Sequence, residues 1–118
     1  MDFFGSKPVD TLLLINPDNP SGNYISMEDV CILAKWCERH GVRLIVDESF
    51  VDFSEGWTNN SLLYDNVLET YPHMIVIKSI SKSYGVPGLR LGIMLFGGCW
   101  TYYSYEKGSE YLEYKFLC

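Results

Sequence analysis

The sequence predicts an α/β fold built on a partial, mostly parallel sheet with flanking helices. Short apolar runs alternate along the chain with segments of helical periodicity, and turn-forming residues separate the two. Strands that alternate with helices are typically parallel and are joined by right-handed crossovers. With 118 residues, the chain has room for one domain at most.

Four strands and two helices are predicted. The first strand, Thr11–Ile15, is an apolar run that ends at an Asn-Pro turn. The first helix begins after Ser26, a good N-cap, and stops at Gly41, because glycine readily takes the left-handed conformation that ends helices. The other predicted elements are strands at residues 42–46, 74–77 and 91–95 and a helix at residues 61–70.

The charge of the chain excludes several classes of partner. A formal net charge of -6 and a pI near 4.7 argue against a nucleic-acid or anionic-membrane surface, which would need a basic patch. No apolar run approaches the length of a membrane span and no secretory signal is visible, so we expect a cytoplasmic protein. The cysteines lack Cys-x-x-Cys spacing, which favours free thiols over a metal site: Cys31, Cys37, Cys99 and Cys118.

Polar residues follow the ends of three successive predicted strands. Asn19, Asp47 and Lys82 each lie just past the carboxyl end of one strand. In open parallel sheets, ligands bind in the crevice beyond these ends. The three side chains are therefore predicted to converge on one binding site.

Three motifs occupy these loops. They are Asn-Pro-Asp-Asn-Pro-Ser-Gly at residues 16–22, Val-Asp-Glu-Ser-Phe-Val-Asp-Phe at residues 46–53, and Ser-Ile-Ser-Lys-Ser-Tyr-Gly-Val-Pro-Gly-Leu-Arg-Leu-Gly at residues 79–92. A lysine between hydroxyl residues, with an arginine eight positions on, suits an amine that forms a Schiff base beside a bound phosphate. In this order, the motifs resemble the pyridoxal-phosphate-dependent aminotransferase class I/II family of fold type I, nearest to its histidinol-phosphate aminotransferases and threonine-phosphate decarboxylases.

The resemblance implies a role for each candidate residue. Lys82 would be the catalytic residue, bonded to pyridoxal phosphate and carrying the proton at the substrate's alpha carbon. Ser79 and Arg90 would hold the cofactor phosphate. Asp47 would pair with the ring nitrogen, and Asn19 would donate a hydrogen bond to the phenolic oxygen. No metal is implied.

Structural alternatives exist for each of these roles. Lys82 could be a solvated loop lysine, and Arg90 could form a surface ion pair with Glu48 or Asp52. The aspartate and the asparagine could serve only to cap turns. The motifs together favour the functional interpretation.

The reaction that the resemblance implies is the transfer of an amino group between an amino acid and a 2-oxo acid. One residue departs from that pattern. Many aminotransferases of this fold carry a tyrosine three residues after the aspartate, where this chain has Phe50. The lost hydrogen bond to a charged group is worth roughly 1.5–3 kcal/mol. Decarboxylation of a phosphorylated amino acid, such as threonine phosphate, and an inactive truncated product are the alternatives.

The resemblance covers residues 9–94 and predicts two segments. Residues 1–95 would be the central part of the large, cofactor-binding domain of a family whose full-length members are homodimers and several times longer. Residues 96–118 hold five of the nine tyrosines and no Ala, Val, Ile, Asp or Asn. A one-base shift of the reading frame can convert them into a continuation typical of the family. We therefore predict that residues 96–118 are an out-of-frame tail.

Overall fold

The computed structural model describes residues 8–54, 61–63, 65–85, 87–97, 99–104 and 113–117. In this part of the chain, one six-stranded sheet has the strand order β1-β2-β3-β4-β5-β6. The strands are β1 (Thr11–Ile15), β2 (Arg43–Asp47), β3 (Met74–Ser79), β4 (Leu91–Phe96), β5 (Cys99–Ser104) and β6 (Glu113–Leu117). The α-helices are α1 (Met27–Arg39), α2 (Asp65–Thr70) and the short α3 (Ile80–Ser83).

The first three strands are parallel, as predicted, and the α/β class is confirmed. β1 and β2 are joined through α1, and β2 and β3 through α2. In the register of the sheet, Ile15 lies opposite Asp47, and Asp47 lies opposite Ile77. The carboxyl ends of the three strands therefore meet at one edge of the sheet.

The fourth strand runs the other way. β4 pairs antiparallel with β3, with Ser79 opposite Gly92. The sequence predicted a mostly parallel sheet and no helix between these two strands. A parallel crossover takes a dozen or more residues, and the connection at residues 80–90 is shorter than that. The amino end of β4 consequently lies at the edge where β1, β2 and β3 end. β5 and β6 continue the sheet as antiparallel strands.

One face of the sheet carries the core. Alternate residues of β2 and β3 point to this face and form one buried cluster with apolar residues of α1 and α2. Burial of one such side chain stabilises the fold by roughly 1.5–3 kcal/mol. The members from these elements are Val30, Ala34, Cys37, Leu44, Val46, Leu68, Met74 and Val76. On the opposite face, Leu13 and Ile15 of β1 are 59% and 40% exposed.

Both ends of α1 follow the predicted signals. The Ser26 side chain accepts a hydrogen bond from the Asp29 amide at 3.1 Å, which satisfies one of the free amides of the first turn. At the other end, His40 is the C-cap residue and Gly41 has a φ of +67°. The Ser26 cap and the Gly41 stop are thus confirmed.

The second helix is shorter than predicted. α2 begins at Asp65, and residues 61–63 are not helical. The reason lies in two bonds to a buried carboxylate: the Ser61 hydroxyl and the Leu62 amide donate to Glu48 at 2.9 and 2.7 Å. These bonds keep residues 61–63 out of the helix. No helix in the described ranges has the length and apolar character needed to cross a membrane.

Candidate functional site

The candidate site lies at the edge where the first three strands end. The Asn16 amide, which follows β1, donates to the Asp47 carbonyl at 2.9 Å, and the Glu48 amide donates to the Ile77 carbonyl at 2.8 Å. These bonds hold the starts of the loops side by side. Asp47 and Ser79 are the last residues of β2 and β3, so both strands end at this edge. The convergence of the Asn19, Asp47 and Lys82 side chains stays a prediction.

Asp47 is half-buried, and one of its carboxylate oxygens is already engaged. Oδ1 accepts hydrogen bonds from the Ser49 amide at 2.9 Å and from the Ser49 hydroxyl at 2.5 Å. This is the turn-capping role considered as an alternative for Asp47. Oδ2 accepts no hydrogen bond from the residues that the structure describes, so this oxygen remains available to a ligand.

The short helix α3, which contains Lys82, is hydrogen-bonded to the same residue, Ser49. The amide of Ser79, the N-cap residue of α3, donates to the Ser49 hydroxyl at 2.9 Å. The Ser83 hydroxyl donates to the Ser49 carbonyl at a longer 3.4 Å. The backbone of Lys82 lies within α3, between these two contacts, and its side chain lies outside what the structure describes.

Arg90 reaches this edge because β4 is antiparallel. The buried Ser81 hydroxyl accepts from the Leu91 amide at 2.7 Å and donates to the Leu91 carbonyl at 3.2 Å, which fastens the start of β4 to α3. Ser81 therefore has a structural role. Arg90 has a φ of +46°, which is uncommon for a residue other than glycine, and its side chain is exposed.

The ion pair considered for Arg90 does not form. Asp52 pairs instead with Lys78, with 2.6 Å between Nζ and Oδ1, and the Glu48 carboxylate binds Ser61 and Leu62. Across the described ranges, no hydrogen bond or ion pair engages the Arg90 guanidinium. The cation is thus left available to an anionic group.

Behind the site lies a buried charged cluster that the sequence analysis missed. Glu48 is 1% exposed, and burial raises the pKa of its carboxyl to about 7, although the hydrogen bonds from Leu62 and Ser61 lower it. Lys78 is 7% exposed and is paired with Asp52. A sequence signal for the cluster existed: Lys78 continues the buried alternation of an otherwise apolar strand, where a charge needs a partner.

The first motif forms one wall of a pocket at this edge. The pocket has a volume of about 480 Å³, and Asn19 lines it together with Tyr24, Phe50 and Phe53. Asn19 is exposed, and Phe50 is half-buried. The loops after β1 and β2 therefore meet as predicted, although Asp47, Ser79 and Arg90 do not line this pocket.

A second asparagine fixes the shape of that loop. Asn16 is buried, its Nδ2 donates to the Ile25 carbonyl at 2.8 Å, and its Oδ1 accepts from the Ile25 amide at 2.8 Å. Sequence reasoning treated this residue only as part of a turn. Its signal was its place directly after the strand Thr11–Ile15, where an asparagine side chain can form hydrogen bonds with loop backbone groups that no strand pairs.

The polar groups at this edge fit pyridoxal phosphate chemically. The exposed guanidinium of Arg90 suits a phosphate, and the free oxygen of Asp47 suits a protonated ring nitrogen. The exposed amide of Asn19 can donate to a phenolic oxygen. These groups, with α3, belong to a single edge of the sheet.

Comparisons with known proteins point the same way. The sequence matches the family described as aminotransferase class I and II over residues 4–102. It is 42% identical over 116 residues to the L-serine phosphate decarboxylase of Sulfurospirillum multivorans, covering 98% of this chain and 28% of that protein. It is 34% identical over 87 residues to the histidinol-phosphate aminotransferase of Buchnera aphidicola, covering 74% of this chain and 23% of that protein.

The structural comparison agrees with the sequence. The fold matches a decarboxylase from Sulfurospirillum multivorans with a TM-score of 0.69 and 40% sequence identity, covering 80% of this chain and 24% of that one. The chain spans about a quarter of the length of these relatives. The alignment that covers 98% of the chain runs past residue 95. The division of the chain at that residue stays a prediction.

Proposed function

Because this chain belongs to the aminotransferase class I and II family, whose members depend on pyridoxal phosphate, we propose that it is the central part of the cofactor-binding domain of an enzyme acting on an amino acid. One observation carries the proposal. The aligned ends of β1, β2 and β3 and the start of antiparallel β4 share one edge, and the residues of all three motifs lie there. Pyridoxal phosphate, when bound, draws electrons from the bond that breaks at the substrate's alpha carbon.

In this proposal each residue has one task. Lys82 supplies the amine that holds the cofactor and moves the proton at the alpha carbon. The free oxygen of Asp47 keeps a proton on the ring nitrogen. Arg90 and Ser79 bind the phosphate, and Asn19 orients the ring through its phenolic oxygen.

Cofactor labelling tests these assignments. The 118-residue chain is mixed with pyridoxal phosphate, reduced with borohydride and mapped by peptide mass. Since the chain spans about a quarter of the length of its relatives, we expect weak binding, with an adduct at Lys82 that needs excess cofactor. The paired, buried Lys78 should stay unlabelled, and the exposed Lys35 reports non-specific reaction. Equal labelling of Lys82 and Lys35 would contradict the site.

Amino transfer between an amino acid and a 2-oxo acid is the first candidate reaction. Two observations favour a second candidate, the decarboxylation of a phosphorylated amino acid. Phe50, rather than a tyrosine, lines the pocket beside Asn19. One relative, at 42% identity, is an L-serine phosphate decarboxylase.

A chimaera separates the two reactions. Residues 9–94 replace the matching segment of the Sulfurospirillum multivorans decarboxylase, which supplies the rest of an enzyme. Carbon dioxide released from serine phosphate supports decarboxylation, and amino transfer to a 2-oxo acid supports transamination. A chimaera that folds and binds cofactor but does neither supports an inactive product. Lys82→Ala is the control that should abolish either activity.

A further inference from the structure

The Ser49 side chain forms hydrogen bonds with both Asp47 and Ser79. The Ser49 hydroxyl donates to Asp47 Oδ1 at 2.5 Å and accepts from the Ser79 amide at 2.9 Å. A hydroxyl has one proton to donate, so this arrangement gives the bonds a fixed direction, from the Ser79 amide through Ser49 to the Asp47 carboxylate. Ser49 is 8% exposed, so water competes little for these bonds.

The two partners of the hydroxyl belong to different parts of the site. Asp47 ends β2, and Ser79 ends β3 and is the N-cap residue of α3, the helix that contains Lys82. The Ser49 backbone adds its amide bond to Asp47 and its carbonyl bond from Ser83. A shift of either strand end would stretch these bonds.

From this geometry we propose that Ser49 is a positioning residue, which fixes the carboxylate of Asp47 relative to the helix that carries Lys82. The inference rests on the proposed function of the site. Misplacement of catalytic groups by about 1 Å can lower rates by two orders of magnitude, so a fixed spacing of the two groups matters. Ser49 itself touches neither the cofactor nor the substrate in this proposal.

Three variants of the full chain test whether Ser49 positions Asp47 relative to α3. Ser49→Ala removes the hydroxyl and leaves the backbone amide bond to Asp47 in place, while Ser49→Thr keeps a hydroxyl. Ser26→Ala is the matched control, since it removes a serine hydroxyl that caps α1. Two quantities are measured: the hydrogen exchange rate of the Ser79 amide without cofactor, and the pyridoxal phosphate concentration that gives half-maximal labelling of Lys82.

For Ser49→Ala we expect exchange of the Ser79 amide to rise about tenfold, the effect of one lost hydrogen bond, and the half-maximal cofactor concentration to rise several-fold. Ser49→Thr should restore both quantities, and Ser26→Ala should change neither. Slow exchange of the core amides of Val46 and Val76 establishes that each variant is folded.

The outcomes separate this inference from the proposed function. Unchanged Ser79 exchange in Ser49→Ala overturns the inference, whether or not cofactor binds. Faster exchange with an unchanged labelling curve also overturns it, because Ser49 would then be structural only. If Lys82 of the unsubstituted chain and of the chimaera takes no label, the proposed function fails, and the positioning role fails with it. A labelling defect confined to Ser49→Ala supports the role.

Discussion

Asp47 and Glu48 are adjacent carboxylates, and the chain uses them in opposite ways. Asp47 is half-buried at the site edge, with one oxygen held by Ser49 and the other available to a ligand. Glu48 is fully buried, and donors from residues 61–62 bind both of its oxygens. Successive residues of an extended chain point to opposite sides, so neighbours can serve binding and stability separately. The environment of each carboxylate, rather than its place in a motif, therefore assigns its role.

The largest effect is expected on the buried side. Lys78→Ala removes the partner of Asp52, whose Oδ2 is already buried without a hydrogen bond among the described residues, and leaves an uncompensated charge. Breaking a buried ion pair in this way costs about 3–5 kcal/mol of unfolding free energy. Urea denaturation measures it, with the exposed Lys35→Ala as the matched control. A loss as small as that of the control would show that the pair contributes nothing.

The free energy of unfolding should depend on pH through Glu48. Burial raises the pKa of Glu48 from 4.5 to about 7, so the folded chain holds a proton that the unfolded chain releases. The stabilising contribution is therefore full below pH 4.5 and is lost as the pH rises to about 7, by about 3 kcal/mol in total. Urea denaturation at pH 5 and pH 8 should show this loss. Glu48→Gln, which cannot ionise, should remove most of the difference in unfolding free energy between pH 5 and pH 8. If the variant keeps that difference, Glu48 is not the group responsible for it.

The site side should respond less in stability than the buried side and strongly in binding. Asp47→Ala leaves the amide and the hydroxyl of the buried Ser49 without their acceptor, so we expect a loss of roughly 1–3 kcal/mol, smaller than that of Lys78→Ala. Labelling of Lys82 by pyridoxal phosphate should fall markedly, because the ring nitrogen loses its partner. Urea denaturation and the labelling assay measure the two effects on the same samples. A stability loss matching that of Lys78→Ala would make Asp47 a structural residue.

The contrast also explains what the sequence could predict. Strand and helix signals are local, so Thr11–Ile15, the Ser26 cap and the Gly41 stop were predicted correctly. The meeting of the ends of β1, β2 and β3 at one edge followed from the parallel order of these strands, and the convergence of the candidate side chains stays a prediction.

Features that depend on contacts between distant segments could not be predicted. The bonds from residues 61–62 to Glu48, which lie 13 and 14 residues from it, delay α2. This contact is not visible in local periodicity.

The out-of-frame origin of residues 96–118 is a separate prediction from the sequence. In the structure, β5 pairs with β4. This pairing does not test whether residues 96–118 are translated out of frame. We expect the gene to show an open frame, offset by one base near codon 95, that continues into a further domain. A stop codon in the offset frame within the tail would reject the frameshift.

The smallest expected effect separates binding from folding at a single residue. Arg90 has a φ of +46°, and a left-handed conformation costs a residue with a Cβ about 1–2 kcal/mol. Arg90→Gly relieves this cost but makes the unfolded chain more flexible, so we expect a net stabilisation of about 0.5 kcal/mol. Arg90→Ala keeps the Cβ and should leave stability nearly unchanged.

Both Arg90 variants remove the guanidinium, so both should weaken cofactor retention equally if Arg90 binds the phosphate. Urea denaturation and pyridoxal phosphate titration of the pair separate the two contributions. If only one variant loses cofactor, the backbone of the loop, and not the charge of Arg90, would determine binding. If both variants lose cofactor equally and only Arg90→Gly becomes more stable, the left-handed backbone at Arg90 costs stability while its guanidinium contributes to binding. Binding and stability would then be separate at this residue, as they are between Asp47 and Glu48.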